Sequence, residues 1–525
     1  MPAQTGWKPA PLFICRHLRS LNARHAKYMN PADHILRPRR QFLWEMGAGF
    51  AGLALTSLLD GEGFFGSQAS AAEAAPGSSL LPKPPHFPAK AKSVIFLFMF
   101  GGPSQVDLFD YKPELQKRDG QTIDNEFRRN TKTKATLQAS RRTFRQHGQS
   151  GLWCSDAFPH IAQHMDKLAV VKSLYSDSFA HGSAVLQMNS GRILQGHPSM
   201  GAWLSYGLGT LNQNLPGYVV MLDPRGGPTT GAPNWSSGYM PAEHQGTLLR
   251  TAGEPILNLK PPVGTSREMQ RREIDFINSL NAEHQAAHPG YSELAARIAS
   301  YELAFRLQAT APEALDLSQE DPRTIEAYGI NAPKPDWHTL AQGPAAFGKQ
   351  CLIARRLVER GVRFVQIYSG GGGAGGQNTW DGHHGIEENL KLHCPEVDQP
   401  IGALLADLEQ RGLLDETLVV WGGEFGRMPV SETFNTGGKP GGRDHNPKGF
   451  TYWLAGAGVK AGTSYGETDE LGEGAVVNRC HLRDLHATIL HLMGLDHEKL
   501  TYFYGGLNNK LTGVVGANVI RGIIA

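Results

Sequence analysis

Short runs of apolar residues alternate with helical patterns along most of the chain. The clearest run, 93–100, is apolar at nearly every position and stops at a Gly-Gly-Pro turn. A strand that is apolar on both faces is typical of a parallel sheet covered by helices. Similar apolar runs lie at 168–171, 217–222, 362–368 and 417–421. Helical patterns lie between them at 347–360 and 398–411. The pattern predicts an α/β fold with a doubly wound, mostly parallel central sheet and helices on both faces.

The N-terminal residues have the features of an export signal. The sequence Arg-Arg-Gln-Phe-Leu at 39–43 precedes an uncharged apolar run at 46–59, and small residues follow at 69–72. This order predicts a twin-arginine signal within an N-terminal extension, 1–75. The run is shorter than the roughly 20 residues that span a bilayer as a helix, so no stable membrane span is expected after processing. Export by the twin-arginine machinery would place the protein in the periplasm or outside the cell. A buried helix or an uncleaved anchor is the alternative.

The rest of the chain is predicted to form one domain. A proline-rich linker, 76–92, leads into a single α/β domain, 93–525, with a helical insertion near 265–310. Charges are nearly balanced, with 51 Lys+Arg against 49 Asp+Glu, and no basic arm is present. This composition excludes an electrostatic nucleic-acid binder. The four cysteines after the signal contain no Cys-x-x-Cys pair, which leaves disulfides and buried thiols both open.

Acidic residues and histidines follow the predicted strands. Asp381, His383 and His384 lie in one loop, Glu424 follows the run at 417–421, and His445 lies in a later glycine-containing loop. In open α/β sheets, ligands bind beyond the carboxyl ends of the strands. These five side chains therefore form a candidate site for one divalent cation. The mixed nitrogen and oxygen donors suit zinc or manganese better than calcium.

Arginines near the same motifs are candidate binders of an ester oxyanion. Arg192, Arg427 and Arg443 could each offer forked donors to a phosphate or a sulfate. The alternative is that they are ordinary surface arginines, and that Glu424 forms a simple ion pair with Arg427 at a helix start. An Asp-x-His sequence can likewise be a turn with a solvated histidine.

Five motifs together carry a resemblance to a known family. They lie at 101–107, 198–203, 380–383, 423–427 and 442–445. The chain resembles an uncharacterised, twin-arginine-exported family of sulfatase-like proteins, which is itself similar to the alkaline phosphatase/sulfatase superfamily. The resemblance implies an alkaline phosphatase-like sheet, one or two metal ions, and a Ser, Thr or modified Cys nucleophile that attacks phosphorus or sulfur. It also implies a small-molecule or polysaccharide ester as substrate.

The resemblance places a histidine where the superfamily has its nucleophile. That residue is His181, and three interpretations stay open. Ser183 or Ser104 could act as the nucleophile, His181 could be a base or metal ligand for direct attack by water, or the site could bind without reacting. We predict an exported metal-dependent hydrolase of phosphate or sulfate esters that uses water attack, with His181, Glu424 and Ser183 as catalytic candidates. The alternative is a catalytically silent binding or scaffold protein with the same fold.

Overall fold

A computed structural model describes residues 80–125, 133–250, 264–288, 292–334, 336, 343–372, 378–432 and 441–525. All of them belong to Ala71–Ala525, one of the two units into which the chain divides. The predicted export signal at 1–75 lies outside the described residues and stays a prediction. Residues 80–92 contain no helix or strand and lead directly into the first strand.

The described residues form short strands and helices in alternation. The strands are β1 Ser93–Met99, β2 Thr122–Asn125, β3 Thr133–Thr136, β4 Phe144–His147, β5 Leu152–Ser155, β6 Leu168–Tyr175, β7 Tyr218–Met221, β8 Thr247–Leu249, β9 Phe364–Ser369, β10 Thr417–Gly422, β11 Gly426–Arg427, β12 His445–Asn446, β13 Phe450–Gly456, β14 Thr463–Tyr465, β15 Glu467–Thr468, β16 Ala475–Val477, β17 Cys480–His481, β18 Tyr502–Tyr504 and β19 Leu507–Asn509. The α-helices are α1 Gln105–Leu108, α2 Pro113–Lys117, α3 His181–Ser190, α4 Met200–Leu208, α5 Arg267–Ala287, α6 Ser292–Leu315, α7 Pro322–Ala327, α8 Ala345–Glu359, α9 Ile386–Gln410 and α10 Leu482–Leu492. Short 3-10 helices lie at Ile161–Lys167, Ala232–Trp235, Ala242–His244, Leu317–Gln319 and Arg521–Ile523. No helix in this part of the chain is long and apolar enough to cross a membrane.

The main sheet has nine strands in the described residues. Its order is β14-β6-β13-β10-β1-β9-β7-β8, and β17 also pairs with β6. Strands β10, β1, β9, β7 and β8 are parallel neighbours, whereas β13 is antiparallel to both β10 and β6. Within the described sheet, β13 alone therefore runs against the common direction, and the prediction of a mostly parallel sheet is confirmed.

Strand β1 shows why the sequence forms a sheet covered on both faces. Successive side chains of a strand point to opposite faces. Ile95 and Leu97 belong to a buried cluster that includes residues of α8 and α9. Phe96 and Phe98 belong to a second cluster that includes residues of α3, α4 and α10. Helices on both faces explain why the run is apolar at every position.

Helix α9 is longer than the sequence pattern predicts. The prediction starts it at 398, but it begins at Ile386 and contains Pro395 and Pro400. Proline removes a backbone donor and normally breaks a helix interior. Here the helix continues because its apolar face is buried in the core, with Leu390 and Val397 almost fully enclosed. The burial favours the helix over the proline signal.

The described cysteines are not paired. Cys154, Cys351, Cys394 and Cys480 are all buried free thiols. Of the two possibilities that the sequence leaves open, the structure has the buried thiols.

Candidate metal centre

The carboxyl ends of three adjacent parallel strands meet at one edge of the sheet. Strand β1 lies between β10 and β9. Gly101 follows β1, Glu424 follows β10, and the loop after β9 contains Asp381. The backbone N–H of Gly101 donates to both carboxylate oxygens of Glu424, at 3.0 and 3.2 Å. The backbone N–H of Trp380 donates to the carbonyl of Phe100 at 2.9 Å, which holds the β9 loop against the end of β1.

Gly101 is needed for this close approach. Its φ is +118°, a conformation that residues with a side chain rarely adopt. A Cβ at this position would lie 2.5 Å from the backbone nitrogens of both Trp380 and Asp381. Glycine therefore lets the loop that carries Asp381 lie directly on the end of β1.

Two short strands bring His445 and His383 to the same edge. In the β11–β12 pair, His445 lies opposite Arg427. The backbone N–H of Arg443 donates to the carbonyl of Gly382 at 3.0 Å. A Cβ on Gly442 would collide with the carbonyl oxygen of His383. Close backbone packing thus places the loop of His383 beside the strand of His445.

Asp381 lies at the centre of three histidines. Its Oδ1 is 3.1 Å from Nε2 of His383 and 3.2 Å from Nε2 of His445, and those two nitrogens are 2.9 Å apart. Its Oδ2 is 3.2 Å from Nε2 of His181, the first residue of α3. Arg427 Nη2 donates to Oδ1 at 2.6 Å. Ligand atoms of His181, Asp381 and His445 all lie within 4.8 Å of one another, as a metal site requires.

Hydrogen bonds on the far side of two rings fix their tautomers. Nδ1 of His445 lies 2.7 Å from the carbonyl oxygen of Phe179, and Nδ1 of His181 lies 2.6 Å from Oε1 of Glu424. Both oxygens can only accept, so each Nδ1 carries the proton. In a neutral ring, Nε2 then has a lone pair, and both lone pairs point at the carboxylate of Asp381. Nε2 of His181 is buried and makes no well-directed hydrogen bond. This arrangement needs a proton or a cation between the rings and the carboxylate.

In the metal-free protein, His181 carries that proton. Burial lowers its pKa, but the neighbouring carboxylates of Asp381 and Glu424 outweigh burial and raise the pKa to about 9. Burial lowers the pKa of His383 to about 4, and Arg427 contributes. Burial also lowers the pKa of His445 to about 3, against its hydrogen bond with Asp381. Burial raises the pKa of Asp381, but Arg427 and the histidines hold it well below its usual range.

Aromatic rings enclose the cluster on one side. The ring of Phe425 lies 5.0 Å from that of His181 and 4.3 Å from that of His445, centroid to centroid. Phe100 lies 5.7 Å from His181. Apolar walls lower the local dielectric and strengthen every electrostatic interaction inside.

Glu424 lies behind the cluster. It is fully buried, and its carboxylate accepts from the backbone of Gly101 and from the ring of His181. It is not among the residues whose ligand atoms converge. The structure therefore places Glu424 where it orients His181. Residue type and spacing alone could not separate that role from ligation.

Some sequence-predicted site residues lie apart from the cluster. His384 is exposed, and its neighbour His383 is the one that faces Asp381. Ser183 Oγ lies 2.5 Å from Ser178 Oγ, so its hydroxyl is engaged in the turn before α3. Arg192 follows the opposite end of α3 from His181, and a ten-residue helix is about 15 Å long. The structure thus does not bring Arg192 to the cluster.

Arg427 is held by several structural partners, and its predicted substrate-binding role stays a prediction. It is fully buried. Its guanidinium donates to the carbonyls of Gly101, Gly102 and Arg443 and to Asp381. The carbonyls just beyond β1 have no hydrogen-bond donors within the described sheet, and the side chain of Arg427 donates to them. Few of its donors are left for a substrate.

Arg443 is equally committed. It forms a two-pronged ion pair with Asp107, at 2.7 and 3.1 Å, and donates to the carbonyls of Gln138 and Met428. Ser104, one of the candidate nucleophiles, is buried and lies 2.5 Å from the same carboxylate. Both residues hold loops together, and the substrate-binding role predicted for Arg443 stays a prediction.

Sequence reasoning missed one residue of the site. Ligand atoms of Asp444 lie within 4.8 Å of those of His383 and His445. Asp444 is half-buried, and its Oδ1 accepts from the backbone N–H of His445 at 2.8 Å. Its place directly before His445 in the 442–445 motif was the signal that could have found it.

A protein-family model described as "Protein of unknown function (DUF1501)" matches residues 91–524. The chain belongs to this family. No curated protein matches the sequence.

Solved structures similar to this DUF1501 protein include hydrolases. One is a variant of the alkaline phosphatase of the Antarctic bacterium TAB5 with bound Mg, at 12% identity over 78% of this chain and 99% of that chain, with a TM-score of 0.33. LtaP, a lipoteichoic acid synthase of Listeria monocytogenes, is 10% identical over 79% of this chain and 76% of that chain, with a TM-score of 0.32. The PsFucS1 sulfatase of Pseudoalteromonas sp. is 13% identical over 93% of this chain and 77% of that chain, with a TM-score of 0.32. The family match at residues 91–524 confirms the predicted membership of an uncharacterised family.

Proposed function

We propose that this DUF1501 protein is an exported, metal-dependent hydrolase of phosphate or sulfate esters. The observation that supports it most is the pair of fixed tautomers. Phe179 and Glu424 force His445 and His181 to point lone pairs at Asp381. A buried carboxylate surrounded by imidazole lone pairs is a donor set that fits a divalent cation.

The proposed ligands are His181, Asp381, His383 and His445. Three imidazole nitrogens and one carboxylate favour zinc or manganese over calcium, which prefers oxygen ligands. When bound, the cation would make water a better nucleophile near neutral pH and polarise the ester oxygen. The predicted twin-arginine signal supports assignment to the periplasm or cell exterior.

The surrounding side chains hold the ligands for this task. Glu424 keeps the proton of His181 on Nδ1, and the carbonyl of Phe179 does the same for His445, so both Nε2 atoms stay available. Such outer hydrogen bonds tune the affinity of metal sites. Phe425 keeps water from one side of the rings. In this assignment His181 is a ligand, and its alternative role as a base that carries protons is set aside.

Attack by water requires a group that takes its proton. We assign this role to Asp444, which lies beside His383 and His445 but is not needed as a ligand of the first set. Ser183 is engaged with Ser178, which supports direct water attack over a serine nucleophile. The water oxygen would bond to phosphorus or sulfur while the ester bond breaks, Asp444 takes the proton of the water, and the leaving alcohol takes up a proton from solvent. The configuration at phosphorus or sulfur is then inverted.

One observation favours a second candidate, a binding or scaffold protein without catalysis. Arg427 already contacts Asp381 at 2.6 Å, and protonated His181 lies between two carboxylates. Two positive and two negative charges thus balance without a cation. A cluster that is complete in this way would be structural.

Elemental analysis and hydrolysis assays separate the two. We would purify the full chain, measure bound metals, and test aryl phosphates and aryl sulfates with added zinc, manganese or calcium. The proposal predicts about one cation per chain and turnover that the His445→Ala variant loses. His384→Ala, one residue from a proposed ligand but exposed, is the matched control and should keep both. Absence of metal and turnover would leave the scaffold protein as the better account.

A further inference from the structure

Helix α5 presents its polar side to the rest of the protein and its apolar side to solvent. None of its residues is buried. Its half-buried residues, which form the inner side, are Gln270, Arg271, Ile274, Asn278, Asn281 and Gln285. The large apolar residues Met269, Phe276 and Leu280 are instead 44%, 64% and 47% exposed. This is the reverse of an ordinary surface helix, whose apolar stripe faces the core.

Polar contacts with α6 explain why the helix is turned this way. Arg271 forms a two-pronged ion pair with Glu302, at 2.9 and 2.6 Å, and Asn278 donates to the same carboxylate at 2.6 Å. The guanidinium of Arg271 also lies 4.9 Å from the ring centroid of Phe305. These contacts fix the inner face, so the apolar residues are left outside.

Four exposed apolar residues lie along one line, and Ile277, which is 38% exposed, lies about 80° to one side of it. Met269, Phe276, Leu280 and Ala287 follow each other at spacings of seven, four and seven residues. At 3.6 residues per turn, all four lie within about 20° of one line along the helix. We call these four residues the apolar stripe. Contiguous apolar surface of this kind marks an interaction site more often than chance exposure.

We propose that the apolar stripe is the contact between two copies of this chain, with α5 of each copy antiparallel to α5 of the other about a two-fold axis. In that pairing Phe276 lies opposite Leu280 of the second copy, and Met269 lies opposite Ala287. The symmetry makes each contact occur twice. A two-fold axis of this kind also keeps each flank of the stripe facing the same flank of the partner helix.

The polar residues beside the stripe fit this arrangement on both flanks. Arg272 and Glu283 lie on one flank, and the pairing brings Arg272 opposite Glu283 of the second copy. On the other flank, Glu273 lies opposite His284 of the second copy, whose ring can donate a hydrogen bond to the carboxylate. All four are exposed. Opposite charges at matched positions favour this partner and this orientation. The acidic residue on each flank disfavours an anionic lipid surface.

Sedimentation of the full chain tests the proposal. We expect a dimer at micromolar concentrations that becomes monomeric in the Phe276→Glu/Leu280→Glu double variant. Ala282→Glu, exposed on α5 but turned away from the stripe, is the control and should stay dimeric. Circular dichroism and thermal melting check that each variant is folded.

Charge reversal tests the antiparallel geometry itself. Arg272→Glu places like charges opposite each other twice and should weaken the dimer roughly tenfold or more. Adding Glu283→Arg restores the pairs and should restore the affinity. A monomer at every concentration, a dimer that survives the Phe276→Glu/Leu280→Glu change, or a double reversal without rescue would overturn the proposal. So would a wild-type monomer that instead binds vesicles containing anionic lipid through the stripe.

Discussion

Metal binding at the proposed site should release one proton per cation at neutral pH. Metal ions bind the neutral form of imidazole, so a ligand that is protonated beforehand must lose its proton. In the metal-free protein the pKa of His181 is raised to about 9, whereas those of His383 and His445 are lowered to about 4 and about 3. At about pH 7 the last two are already neutral, and His181 alone must give up a proton.

The pKa of His181 also sets the size of the pH effect. A group that binds protons up to about pH 9 opposes metal binding by about two pKa units at pH 7, or roughly 2.7 kcal/mol. The apparent Kd for zinc or manganese should therefore fall roughly tenfold for each unit of pH between about 5 and 9, and level off above that. Affinity rises with pH because the competing proton is lost.

Calorimetric titration in buffers with different ionisation enthalpies counts the released proton. The plot of observed enthalpy against buffer enthalpy should give one proton for the wild-type protein and for the exposed-site control His384→Ala. The His181→Ala variant should bind more weakly and release none. Tight binding that does not depend on pH, or release that is unchanged in His181→Ala, would refute the assignment of His181 as a ligand.

Three further changes test other parts of the site. Glu424→Gln keeps an acceptor but removes a charge, so it should lower the pKa of His181, as an NMR titration of the metal-free protein would show; an unchanged pKa would contradict the cause given above. Asp444→Asn should reduce kcat by roughly 10²–10⁴ while bound metal stays constant, as expected of a general base; an equal loss of metal would indicate a ligand instead. Gly101→Ala forces a Cβ to within 2.5 Å of the backbone at Asp381 and should lower the free energy of unfolding by more than about 2 kcal/mol. The control is Gly412→Ala, which is also at positive φ but has open space around it, and it should lower the free energy of unfolding by only about 1 kcal/mol. Chemical denaturation of both variants measures the difference, and equal costs would argue against the close contact.

The fold could be predicted from the sequence because burial on both faces leaves a simple pattern. A strand such as β1 must be apolar throughout, and that pattern is local. The reversed direction of β13 could not be predicted, since the antiparallel pairing depends on where the chain returns to the sheet. The extent of α9 was hidden by its two prolines, because the packing that overrides them involves distant residues.

Residue type and loop position predicted which residues come together at the site, but not which way each side chain points. Asp381, His383 and His445 are brought together, as their places after strands suggested. The choice between His383 and His384 depends on how one turn is oriented, which residue spacing does not encode. The role of Arg443 depends on Asp107, which is 336 positions away in the chain. Nothing near either residue in the sequence shows that this pair forms.

The reversal of β13 has a consequence for how the chemistry of this family can diverge. Strand β10 ends at the edge that carries the site, and because β13 is antiparallel to it, the chain re-enters the sheet at that same edge. The described parts of the intervening segment, 423–432 and 441–449, include Glu424, Arg427 and His445. Its length and donor residues can therefore change while the strands on either side keep their register, provided that the contacts of Glu424 and Arg427 with the end of β1 are kept. Natural variants and designed chimaeras of this fold should tolerate grafting at residues 423–449 better than at any loop that must span the sheet.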